Sequence, residues 1–166
     1  GKSGFFNQEE VQNTVAFAQY FVSPTDACIK QIIKSPYECS RFLKKGDVLQ
    51  SLEDAQRGTV GYQPFAKLLG QFHHHDSEQT NRVLDLHRKL RYTADLIKGK
   101  SAEGALRNIL TQFGILHHYE DNVDTDNNPA NNVRTLLRMA EKHATLMLFV
   151  NTCIKAKAAS RSTAKR

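Results

Sequence analysis

The feature that most constrains this chain is the spacing of its apolar residues, which recur at steps of three and four almost everywhere, with only 9 glycines and 4 prolines to interrupt them. A step of that size matches the 3.6-residue turn of an α-helix, so each such run buries one face and wets the other. Val11, Val15, Ala18 and Val22 make a first stripe, after a Phe5-Phe6 pair read as extended. Ser23-Pro24 reads as a cap with proline at the first helical position, and the helix it opens carries Ile29, Ile32 and Ile33. That helix must stop at Ser35, because Pro36 restricts the residue before it. Two short helices are expected next, 40–45 and 47–56, with Gly46 as the break, then a loop over 57–61 and a short helix from Pro64 to Phe72.

The longest helix is expected from about Glu78 to Lys98, with Val83, Leu86, Leu90, Ala94 and Ile97 on one stripe. Gly99-Lys100 ends it, and Ser101 caps a helix running to Phe113. Beyond Gly114 a short helical stretch holds Ile115, Leu116 and Tyr119, and an acidic loop follows. Asn128-Pro129 opens a helix with Val133, Leu136, Leu137 and Ala140 inward. A last helix covers roughly 144–158 through Leu146, Phe149, Val150, Cys153 and Ile154. The expectation is an all-α, multi-helix bundle over 1–158 with a basic linker or tail at 159–166. Both ends look like cut linkers, as in a piece of something larger.

Composition narrows the function classes. The 166 residues suit one domain with a proper core, and 23 Lys+Arg against 17 Asp+Glu leave a net charge of +6. A surplus of that size permits contact with a polyanion without demanding it. The longest apolar run, Leu146 to Val150, is far too short to span a bilayer, and no secretory leader is seen, so an intracellular protein with no membrane partner is expected. Cys28, Cys39 and Cys153 are odd in number and lack Cys-x-x-Cys spacing, which reads as reduced structural thiols.

Catalytic and metal motifs were each tested on spacing. Gly1-Lys2-Ser3 and Gly99-Lys100-Ser101 resemble the end of a phosphate-binding loop, but the second has Ala94 where the loop needs glycine, and the first has no residues upstream. Consecutive helical side chains point about 100° apart, so His73-His74-His75 converge poorly on one ion, and His117-His118 read the same way. Asp124 to Asn128 match the start of a calcium loop, which then fails at Pro129, where glycine is required, and at Thr135, where glutamate is. No catalytic residue, metal site or cofactor of this chain's own is expected.

Three basic groups stand out: Lys30, Lys34, Arg41, Lys44 and Lys45 around the Pro36 turn; Arg88, Lys89, Arg91, Lys98, Lys100 and Arg107; and Lys155, Lys157, Arg161, Lys165 and Arg166. Such groups neutralise phosphates and release counterions, although a solvated helix face accounts for the same charges.

Read as one string, Gly4-Phe5-Phe6-Asn7-Gln8-Glu9-Glu10-Val11, an apolar helix, and Tyr20-Phe21-Val22-Ser23-Pro24-Thr25-Asp26 resemble the opening of the 2B subdomain of superfamily 1 DNA helicases of the UvrD/Rep/PcrA type. Ile32-Ile33-Lys34-Ser35-Pro36-Tyr37 is similar to that family's Ile-x-Asn-x-Pro-Lys-Arg stretch. The 101–120 segment resembles its helix ending in Gly-Tyr and an acidic turn, and Asn131-Asn132-Val133-Arg134-Thr135-Leu136-Leu137 its Arg-x-x-Asn-Val-x-x-Leu helix. The resemblance implies an insertion domain of an ATP-dependent 3′→5′ helicase, with ATP and magnesium held by the parent's motor domains. Such a domain swivels between orientations, contacts duplex or forked DNA, modulates unwinding, and docks the motor domains or partner proteins. The sequence departs from the pattern after Pro36, where Tyr37-Glu38-Cys39-Ser40 replace the basic pair and the glycine. The expected phosphate contacts are therefore Lys34, Arg41, Lys44 and Lys45, with Arg88 and Arg91, and no base reading. The competing expectation is a protein-interaction module of the same fold that does not bind DNA.

Overall fold

The computed structural model describes residues 2–58, 60–121 and 128–164, with side chains over 4–58, 60–121 and 128–161. Among these residues the regular structure is all α-helix: α1 Lys2–Phe5, α2 Glu9–Tyr20, α3 Asp26–Lys34, α4 Lys45–Arg57, α5 Phe65–Leu69, α6 Ser77–Leu96, α7 Ala102–Gln112, α8 Ile115–Asp121, α9 Pro129–Ala140 and α10 Leu146–Ala164. None of them is long and apolar enough to cross a membrane. Residues 124–127, the start of the candidate calcium loop, lie outside the described residues.

Two helices are central because they are apolar on more than one side. In α2, Val11, Ala16, Phe17 and Ala18 are all buried, and the helix packs against α3, α7, α9 and α10. In α7, Ala102, Ala105, Leu106, Ile109 and Leu110 are buried, and it touches α2, α6, α8, α9 and α10. Their aromatic contact, Phe17 on Phe113 with ring centroids 4.8 Å apart, lies in the core. Truncating a fully buried ring such as Phe17 to alanine costs about 3–5 kcal/mol through lost transfer energy plus the cavity left behind.

Helix ends follow side-chain chemistry. Ser101 accepts a hydrogen bond from the Gly104 amide at 3.2 Å and Asn128 from the Asn131 amide at 3.3 Å, as the sequence predicts. Gly114, at φ +62°, makes the sharp reversal between α7 and α8 in the left-handed region that glycine tolerates. The α5 amino end is closed from a distance. Asp26 Oδ1 accepts the Phe65 amide at 2.9 Å, while Gln56 Nε2 donates both to Asp26 Oδ2 and to the Gln63 carbonyl.

Five local expectations are corrected. Phe5 lies in the short α1 rather than in an extended pair, and Phe6 is buried where α1 meets α10. The cap of α3 is Thr25, not Ser23: its hydroxyl accepts the Cys28 amide at 3.1 Å, and this frees Asp26 to close α5. Residues 40–45 do not form a helix. The chain instead turns through Ser40 and Arg41 amides bonded to the Tyr37 carbonyl, and α4 begins at Lys45 with the exposed Gly46 in its first turn. The apolar stripe of α6 ends on Thr93, fully buried with its hydroxyl returned to the Lys89 carbonyl, while Ala94 and Ile97 are only half-buried. The last helix continues beyond 158 to Ala164, and Ile154 on it is 40% exposed rather than inward.

Candidate nucleic-acid interface

The Pro36 turn is built from inside outward. Ser35 takes extended backbone (φ −65°, ψ 154°), as a residue before proline must, and its buried hydroxyl donates to the Ile32 carbonyl at 2.6 Å. Ser40 donates to the same carbonyl at 2.8 Å, which folds the chain back over the end of α3. Tyr37 then points into the core with no exposed surface. Its ring contacts Phe17, His118 and Tyr119, and its hydroxyl lies 2.7 Å from that of Tyr119. Burial, first of all, pushes the Tyr37 phenol far above its ordinary range, so it stays neutral. Tyr37 is thus the core anchor of the turn.

The charges the turn presents divide by what holds them. The Lys45 ammonium donates to the Ser35 carbonyl at 2.8 Å and the Lys34 carbonyl at 3.0 Å. These are the last carbonyls of α3, where the helix dipole is negative, so Lys45 acts as the clasp of the turn. Lys44 pairs with Asp76 at 3.2 Å, and this hydrogen bond, first among the causes, holds the Asp76 carboxyl below its usual range. Lys34 and Arg41 are exposed and, among the described residues, carry no ion pair.

The neighbouring helix completes the surface. Phe42 is 55% exposed, with the Arg41 guanidinium 4.6 Å and the Arg82 guanidinium 5.0 Å from its ring centroid. Arg82 and Lys89 are seven residues apart and share one face of α6, and both line a small hollow with Glu38, Cys39 and Phe42. Arg82 is held by Glu78 at 2.6 Å. Arg88 is ion-paired to Asp85 on its own helix. Arg91 lies half a turn around α6 from Arg82, where its charge acts on Tyr20 and His87, so the structure does not bring it to the turn.

Lys34, Arg41, Lys44 and Lys45 surround one turn, whereas Lys30, grouped with them in the sequence, pairs with Glu53 at 3.5 Å; Arg82 and Phe42 join the turn without having been in that group. The seven-residue step between Arg82 and Lys89 was a readable sign of a shared face; their approach to residues 38–43 was not. The surface is mixed in sign, since Glu38, Asp76, Glu78 and Asp85 are interleaved with the cations.

Among the described residues, no three His, Cys, Asp or Glu side chains gather where they could hold an ion. His74 instead accepts the Asp76 amide at Nδ1, and its ring rests against that of His75. Cys28, Cys39 and Cys153 are free thiols whose burial raises their pKa, to about 12 for Cys153, leaving them poor nucleophiles. Comparisons with family models, with curated proteins and with solved structures give no match.

Proposed function

We propose that this chain is an accessory helical domain of a UvrD/Rep-type DNA helicase that grips the phosphate backbone of duplex or forked DNA through the Pro36 turn. It contributes surface rather than chemistry: ATP and magnesium belong to the parent's motor domains, and the orientation of this domain against them modulates unwinding. A ligand that favours one orientation shifts the population towards it by as much as its affinities for the two differ.

The observation that carries this reading is the pair Lys34 and Arg41, exposed and free of carboxylate partners, on a turn whose backbone is fixed from beneath by Ser35, Tyr37 and Lys45. A fixed backbone removes the loop-ordering part of the binding cost, leaving only the rotamer freedom of the two side chains to be lost on meeting a phosphate. Lys44, Arg82 and Arg88 extend the surface but must first exchange Asp76, Glu78 and Asp85 for phosphate, so they add less. Arg91 serves a different face.

The test is a fluorescence anisotropy titration of the chain with a forked duplex. Binding in the micromolar range at low salt is expected, independent of sequence. Log affinity should fall with log salt at a slope of about −2 to −3, reflecting two or three neutralised phosphates. Replacing Lys34 and Arg41 together by alanine should flatten that slope by about 2. Absence of binding at low salt would remove the DNA half of the proposal. In that case the second reading, a module docking a partner or the parent motor domains, gains from the number of surface cations already neutralised by carboxylates.

A further inference from the structure

A groove of about 610 Å³, open to solvent, runs between α2, α3 and α10, on residues that the DNA reading does not use. Its wall is largely apolar, with Val15, Ala27, Cys28, Cys153 and Ile154 among the lining residues. Its lip carries two cations, Lys157 and Arg161, and no carboxylate lines it. The two stand four residues apart on α10, which makes them like-charged neighbours on one helix face. Lys157 is half-buried, and burial first, then Arg161, disfavours its charge. Among the described residues neither has an ion-pair partner. The groove also does not end at its own walls. Met147, 54% exposed, lies seven residues before Ile154, which is 40% exposed, so the two apolar side chains share one face of α10 with the exposed Asn151 between them. From Met147 to Ala158 that face spans three helical turns, about 16 Å.

We propose that this groove docks an acidic amphipathic helix of a partner protein, its apolar ridge lying along Val15, Ile154 and Met147 and its carboxylates meeting Lys157 and Arg161. Length and charge select the occupant. The apolar groove wall, with Ile154 and, two turns away on the same face of α10, Met147, matches a helical ridge with anchors at three- and four-residue steps. Two unpartnered cations at one end call for carboxylates placed beside that ridge, whose arrival relieves the repulsion between them. The proposal rests on the groove alone and stands or falls separately from the DNA reading.

The experiment uses a synthetic, fluorescein-labelled helical peptide of about 16 residues, roughly four turns, with leucine at helical spacing and glutamate elsewhere. The 166-residue chain should bind it in the micromolar range. Replacing Lys157 and Arg161 together by glutamate should weaken it by about tenfold or more, and Ile154→Asp by a similar factor. Lys157→Met keeps the buried stem, so folding is preserved while one charge is lost, and it should weaken binding by about threefold. Forked-duplex affinity should stay within about twofold in all of these variants. Equal binding of a peptide with lysine in place of glutamate, or unchanged affinity in the double glutamate variant with its helical circular dichroism intact, overturns the proposal. A matching loss of duplex affinity in that variant also overturns it, by assigning the groove to nucleic acid.

Discussion

Lys45→Met separates the two tasks assigned to the basic turn. Methionine keeps the aliphatic stem and deletes the ammonium, and with it the bonds at 2.8 Å and 3.0 Å to the Ser35 and Lys34 carbonyls. Those carbonyls close a nine-residue helix whose carboxyl end carries the negative pole of its dipole. The Ser35 side of the pair is partly buried, so water replaces the lost donor only in part, whereas Lys34 lies in the open. Two charge-assisted bonds in that setting sum to about 1–2 kcal/mol net. For a chain of this size each kcal/mol moves the melting temperature by about 2–4 °C, so a fall of about 2–8 °C is expected. Thermal melts followed by circular dichroism, run beside forked-duplex anisotropy, give both readouts on one preparation. Lys45→Met should melt early yet bind DNA within about twofold of the parent chain. Arg41→Ala should melt within about 1 °C and lose affinity by about threefold, the loss of one phosphate contact. A Lys45→Met variant with unchanged melting and a DNA defect as large as that of Arg41→Ala would refute the division of labour.

Three further outcomes follow from the fold. Tyr37→Phe leaves the aromatic packing and removes the 2.7 Å link to Tyr119, so a loss of about 1 kcal/mol in urea-unfolding stability is expected with the denaturant slope unchanged. Burial raises the Asp26 carboxyl, but hydrogen bonds from Tyr62, the Phe65 amide and Gln56 outweigh it, so its pKa is below normal in the folded chain. A depressed folded pKa means stability that is present above the ordinary value near 3.8 and lost as pH falls through the folded value. Asp26→Asn should therefore lower the pH 7 unfolding free energy by about 1–2 kcal/mol, and the gap from the parent chain should close below about pH 4 in a pH-resolved denaturation series. Gly114→Ala meets no atom within 4 Å but must adopt φ +62°, so a destabilisation of about 1 kcal/mol is expected, and Gly114→Asn should recover part of it.

How far the sequence could be read depends on the range of the interaction. Where one helix decides its own fate, periodicity suffices: Val133, Leu136, Leu137 and Ala140 are all buried as their spacing demands, and Ser101 and Asn128 cap the helices they precede. Where a side chain reaches another element, periodicity is silent. Tyr37 meets Tyr119 across 82 residues, and Arg82 meets Phe42 across a turn that sequence reasoning took for helix. Gly46 shows the same limit in reverse. Its low helix propensity argues for a break, yet it lies in the first turn of α4, which the fully buried Val48 and Leu52 anchor just after it. The site was legible as a cluster of charges but not as a division of roles, because which cation serves the fold depends on carbonyls and carboxylates brought near only by folding.

The twenty residues of α6 extend about 30 Å without a proline or glycine between Ser77 and Leu96. Buried side chains at steps of four and three, Gln79, Val83, Leu86, Leu90 and Thr93, fasten it along its whole length. It is thus one continuous rod, with Arg82 in its second turn and the Gly99 bend just beyond its other end, so the place of the basic surface is tied through the rod to the start of α7.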